Sequence, residues 1–97
     1  MPLSVSVAIS VLDRAWDLAP QVSVRPEPFG ALLYDFGTRR LTFLKDRRLL
    51  AVVLGLREAP TARAACRGAG VDGAALPVYA RALARLVETD MLKERVG

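Results

Sequence analysis

Three observations predict an α+β fold, one antiparallel sheet packed by a helical layer. Residues 21–45 alternate apolar and polar side chains with the period of strands. Residues 46–92 carry apolar side chains at helical spacing. The two patterns do not interleave, so the order is three strands forming a meander, then three helices.

The elements follow in chain order. Residues 3–11 alternate Val5, Val7, Ile9 and Val11 with Ser4, Ser6, Ala8 and Ser10. This is strand-like with one apolar face. It reads as an extra edge strand or a partly ordered arm, or as a strand that pairs with a free sheet edge in its own chain or a neighbour's. The last alternative leads to a strand-swapped homodimer. Residues 13–18 read as a helical turn anchored by Trp16, a core lid rather than a ligand stack, and Pro20 ends it. Residues 21–25, with Val22 and Val24 alternating, form the next strand. Pro26 and Pro28 cannot donate ladder hydrogen bonds, so the chain there bends or lies at an edge.

Residues 25–45 organise the rest. The arm over 31–36 places Leu32, Tyr34 and Phe36 on one face and Leu33 on the other. The arm over 39–45 places Leu41 and Phe43 on one face and Arg40, Thr42 and Leu44 on the other. Gly37-Thr38 between them suits a two-residue type II′ turn, which needs positive φ at the glycine. Asp46 is an N-cap for the first helix, which is apolar nearly all round over 49–56 and should be the central buried one, stopping near Glu58. Thr61 caps a short second helix over 62–67 that Gly68 and Gly70 terminate. Asp72 or Gly73 opens the third helix, with Pro77 tolerable only near its first turn. Its apolar stripe is Leu76, Ala80 (or Tyr79), Leu83, Val87 (or Leu86) and Met91, and Arg81, Arg85 and Glu88 occupy another face.

Ninety-seven residues bound the chain to one domain. At 53% hydrophobic it is not a disordered chain. It has no histidine and one cysteine, which argues against a His/Cys metal site or an intrachain disulfide, and Cys66 reads as a buried hydrophobe in a reducing compartment. The apolar start lacks a basic segment and no run reaches membrane-span length, so the expectation is cytoplasmic with no membrane partner. The net charge of +4 suits acidic partners but is too small to specify nucleic acid. The carboxylate pairs Asp13/Asp17 and Glu88/Asp90 read as solvated faces. Gly68-Ala69-Gly70 lacks the rest of a phosphate loop. No catalytic constellation emerges, so the chain reads as a non-enzyme without cofactors.

A binding function rests on a free edge. The last strand of the meander, 39–45, is an edge whose backbone groups can accept another strand, beside a groove lined by the third helix. Ordering about seven peptide residues costs on the order of 7–14 kcal/mol. Hydrogen bonds return only about 0.5–1.5 kcal/mol each. Two or three buried apolar anchors, at about 1.5–3 kcal/mol each, must therefore supply the surplus. Arg81 and Arg85 add preference for an acidic peptide.

The sequence Arg-Pro-Glu-Pro-Phe-Gly-Ala-Leu-Leu-Tyr from Arg25, then Phe-Gly-Thr-Arg-Arg-Leu and Phe-Leu-Lys, resembles the signature of the mycofactocin peptide chaperone (MftB) family. That family belongs to the PqqD-like RiPP recognition elements. Residues 83–92 also resemble the closing helix of PqqD-like domains, with Asp90 where glycine is expected. The resemblance implies a winged helix-turn-helix, with an N-terminal arm over 1–20 and a recognition domain over 21–97. It implies a non-catalytic protein that binds the acidic leader of a ribosomally made precursor peptide as an added strand. A radical SAM maturase, which owns the iron–sulfur clusters and SAM, then receives the peptide. Edge logic and family pattern together nominate Arg39, Arg40, Leu41, Thr42, Phe43, Leu44, Tyr79, Arg81, Leu83 and Arg85 as peptide-binding. The alternatives are a DNA-binding winged helix, which the sparse cations of the third helix (Arg81, Arg85 and Lys93) disfavour, and a dimerisation module built on the N-terminal arm.

Overall fold

The computed structural model describes residues 10–95. Among these residues it is α+β, with a three-stranded antiparallel sheet, three helices that lie wholly within them and a second, two-stranded sheet absent from the expectation. Residues 3–9 of the expected arm lie outside the described residues, and Ser10 and Val11 are helical rather than extended.

Strand β1, Trp16–Leu18, replaces the helical turn expected over 13–18. It pairs antiparallel with β5, Leu92–Glu94, at the far end of the chain, Trp16 opposite Glu94. This long-range partner overrides the local pattern. Trp16 is buried as a core lid, and its indole N–H donates to the Val11 carbonyl at 2.9 Å.

The main sheet is β2, Val22–Glu27, then β3, Gly30–Asp35, then β4, Leu41–Leu44, in that order. Ala31, Leu33, Asp35 and Leu44 face the core, and Leu32, Tyr34, Leu41 and Phe43 face away from it. Pro26 sits within β2 because β2 is an edge. The Phe36 N–H bonds the Gln21 carbonyl, so ladder alternation turns the Pro26 nitrogen outward, where no donor is needed. The β2–β3 turn ends at Gly30, whose φ is 150°. A side chain there would meet the Leu44 carbonyl oxygen at 2.0 Å.

The β3–β4 connection is not a type II′ turn at Gly37-Thr38. Asp35 pairs with Arg40 across four intervening residues, and the positive φ falls on Arg39, at 63°. The Asp35 carboxylate accepts from the amides of Gly37 (2.8 Å) and Thr38 (3.1 Å), building the loop from inside. The Thr38 amide, opposed by burial and helped by the Gly37 amide and Gln21, holds that carboxyl below its ordinary range.

Helix α1, Arg47–Gly55, continues as a 3₁₀ turn over Leu56–Glu58. It buries Leu49, Val52 and Val53 but exposes Ala51 and Leu54, so it is amphipathic rather than buried all round. Helix α2, Ala62–Gly68, is capped by the Thr61 hydroxyl accepting from the Ala64 amide. Helix α3, Leu76–Glu88, starts later than expected, after a turn in which Asp72 accepts from the Ala75 amide. It buries Ala80, Leu83, Ala84 and Leu86. Its C-terminus closes with the Met91 amide on the Leu86 carbonyl and the Asp90 amide on the Val87 carbonyl. Asp90 takes φ 63°, the left-handed conformation that a glycine there would supply. No helix among the described residues is long and apolar enough to cross a membrane.

Asp46 joins three elements. It follows β4 and caps α1 through Oδ1, which accepts from the Arg48 amide at 2.8 Å. Its Oδ2 accepts a short hydrogen bond from the Tyr79 hydroxyl on α3. That hydroxyl is the main cause lowering the Asp46 carboxyl below 3.8, and the same bond raises the Tyr79 phenol above 10.0.

Two predictions follow from these joints. Gly30→Ala should destabilise the chain by about 2 kcal/mol or more in urea unfolding, from strain and backbone collision together. The lowered Asp46 carboxyl stabilises the fold above its unfolded value and ceases to as pH falls through the folded one. The raised Tyr79 phenol stabilises below its unfolded value and ceases to as pH rises through the folded one. Tyr79→Phe should therefore cost about 1 kcal/mol at neutral pH and flatten stability–pH curves at both ends. Unchanged curves would sink this assignment.

Candidate functional site

Strand β4 is the outer strand of the main sheet, and α3 lies alongside it. Between them runs a groove of about 640 Å³. Thr42, Phe43 and Leu44 form one wall, Leu49 of α1 contributes to the lining, and Val78, Arg81, Ala82, Arg85, Leu86 and Glu88 form the α3 wall. Leu44, Leu49 and Leu86 are buried and make an apolar base, while Phe43, Val78, Arg81, Arg85 and Glu88 are exposed around it.

The backbone of β4 defines what the groove offers. The Asp35 amide bonds the Arg40 carbonyl at 2.9 Å. Alternation then turns the amides and carbonyls of Thr42 and Leu44 toward β3, and those of Leu41 and Phe43 toward the open edge. An extended chain can pair with Leu41 and Phe43 without disturbing the sheet.

The expected site residues separate into groups. Thr42, Phe43, Leu44, Arg81 and Arg85 line the groove. Arg81 and Arg85 are exposed and in no ion pair among the described residues. Leu41 presents its backbone to the edge and its side chain to solvent, 57% exposed. Arg39 and Arg40 are exposed in the loop before β4. Tyr79 does not line the groove, and its hydroxyl is engaged by Asp46. Leu83 is fully buried, so it packs the core and is not available to a ligand. It belongs to the apolar stripe, and the groove uses the next face round the helix.

Val78, Ala82, Leu86, Glu88 and Leu49 were not among the expected residues. Their signal is present in the sequence: Val78, Arg81, Ala82 and Arg85 repeat at i, i+3, i+4 and i+7, adjacent to the core stripe. Lys93, expected as an outward helical cation, is on β5.

The chemistry of the described residues points to binding. Cys66 is buried, and burial pushes its thiol up, against a smaller opposing influence from Arg63. Among the described residues no three metal-ligating side chains gather. An apolar trough, an edge with outward backbone groups and two unpaired guanidinium groups suit an extended peptide carrying carboxylates.

The model of the peptide chaperone MftB family matches residues 15–93, from β1 into β5. The peptide chaperone MftB of Mycobacterium tuberculosis (strain ATCC 25618 / H37Rv) is 59% identical over 83 residues, covering 86% of this chain and 76% of that protein. The peptide chaperone MftB of Mycobacterium ulcerans (strain Agy99) is 58% identical over 80 residues, covering 82% and 73%. That of Mycolicibacterium smegmatis (strain ATCC 700084 / mc(2)155) is 52% identical over 80 residues, covering 82% and 78%. No solved structure matches. With the family matched across nearly all the described elements, the chain belongs to the peptide chaperone MftB family, a non-catalytic one.

Proposed function

We propose that this chain binds the leader of a mycofactocin-type precursor peptide as a fourth strand on β4 and presents the peptide to a radical SAM maturase. The three-stranded sheet and three helices then act as a PqqD-like winged helix-turn-helix whose groove takes peptide rather than DNA. The observation that carries this is the open β4 edge facing α3 across an apolar groove.

Strand pairing through Leu41 and Phe43 sets the register of the leader, and every second leader side chain points toward α3. Apolar leader residues bury themselves against Leu44, Leu49, Ala82 and Leu86 and supply the net affinity, because backbone hydrogen bonds barely offset the ordering of the peptide. Arg81 and Arg85 select an acidic leader and speed its capture. Holding leader and maturase together raises the local concentration of the peptide's reactive end at the maturase active site. The chain contributes no chemical step, and the iron–sulfur clusters and SAM belong to the maturase.

Calorimetric titration with the precursor peptide encoded in the same operon, against a scrambled control, tests this. The expected result is binding of the genuine leader alone. Arg81→Glu/Arg85→Glu should weaken it about tenfold or more, a change of about 1.4 kcal/mol per decade. Phe43→Pro, which deletes an outward donor without touching the β3 ladder, should weaken it while leaving the fold intact. Equal binding of the scrambled peptide, or full affinity in both variants, would contradict strand addition in this groove.

A further inference from the structure

The sheet has a second surface, which meets the groove at Phe43. Leu32, Tyr34, Leu41 and Phe43 point away from the helices, and Phe29 and Phe36 extend the same face beyond the strands. Phe36 is 64% exposed, Leu41 and Phe43 57%, and Phe29 45%. Isolated exposed apolar residues are ordinary, but these adjoin one another. They are also ordered against each other. The Tyr34 and Phe36 rings meet edge-on at 4.7 Å, and the Phe29 and Phe43 rings lie 6.1 Å apart.

The border of this face is basic. Arg25 sits opposite Leu32 on β2, Arg39 and Arg40 precede Leu41, and Lys45 follows Leu44. All four are exposed. The carboxylate among them is Glu27, in an ion pair with Arg25 at 3.1 Å. Asp35 is buried on the opposite side of the sheet. A second copy of the chain laid face to face would set this basic border against itself. A surface of opposite character fits instead.

We infer that the outer face of the β2–β3–β4 sheet docks a folded protein surface with an apolar centre and a carboxylate border. Resting on the proposed function, that partner is the maturase that receives the peptide. The arrangement separates two tasks on one hairpin. The β4 edge takes the peptide, and the face of the same strands takes the enzyme. Phe43 adjoins both, since it lines the groove and stands on the outer face. A leader strand added to β4 widens the face, so a partner lying on it touches peptide and chaperone together.

The test uses the purified maturase of the same operon and the double variant Arg25→Glu/Phe36→Asp, two exposed positions outside the groove. Affinity for the maturase and for the precursor peptide are measured separately. The expected result is a loss of about 30-fold or more in maturase affinity, with peptide affinity within about twofold of the wild type. Should the double variant not fold, Phe36→Ala alone reads the same surface, with a loss of about tenfold expected. Undiminished maturase binding overturns the inference. So does sedimentation showing a wild-type dimer that the variant dissociates, which gives the face to a second copy. A wild type that binds peptide but no maturase overturns it while leaving peptide binding in place. A wild type that binds neither overturns the proposed function and this inference together.

Discussion

Asp46 stands where the sheet hands over to the helices, and its two oxygens answer to different elements. One caps α1 through the Arg48 amide, and the other holds the Tyr79 hydroxyl at the start of α3. Because β4 ends two residues before Asp46, this carboxylate fixes how β4, α1 and α3 approach one another. The groove is the space that approach leaves. Leu44 and Leu49, on either side of Asp46, form part of its base, and α3 carries the opposite wall. A cap that is local in sequence thereby sets a long-range spacing.

The hairpin formed by β3 and β4 is used on every side. Its inner face, with Ala31, Leu33 and Leu44, joins the core. One edge pairs with β2, the other pairs with no strand among the described residues, and the outer face carries exposed aromatic side chains. Buried Asp35 makes this economy workable, because its carboxylate builds the connecting loop from amides on the core side and leaves the outer face free of turn machinery. Gly30 allows the β2–β3 turn to press on the end of β4, a contact with no room for a Cβ. An edge strand left open is an aggregation hazard. Here it is short, flanked by Arg39, Arg40 and Lys45, and set beside a helix.

Much of this was legible in the sequence because it is local. The alternation over 31–44, the Asp46 and Thr61 caps and the order of strands before helices depend on neighbours within a few residues. So does the edge position of Pro26. What was not legible depends on distant or competing partners. β1 became a strand because β5 returns to it from the opposite end of the chain. Gly37 looked like the special turn residue, yet Asp35 side-chain bonds made a wider loop and moved the positive φ to Arg39. The groove-facing residues of α3 were partly confused with the core stripe, because adjacent faces of a helix share one period. Leu83 lies in the core and the Tyr79 hydroxyl is held by Asp46, while Arg81 and Arg85 line the groove. The family signature over 25–45 located the hairpin, but it carries no information on which of its surfaces meets which ligand.

Amide hydrogen exchange across β4, with and without the precursor peptide, tests strand addition most directly. Ladder alternation makes a residue-by-residue pattern. The amides of Leu41 and Phe43 face the open edge and should slow by about an order of magnitude or more when the leader pairs with them. Those of Thr42 and Leu44 already serve β3 and should change little. Saturating peptide that leaves Leu41 and Phe43 exchanging as before, with protection appearing elsewhere, would contradict a leader bound as the fourth strand.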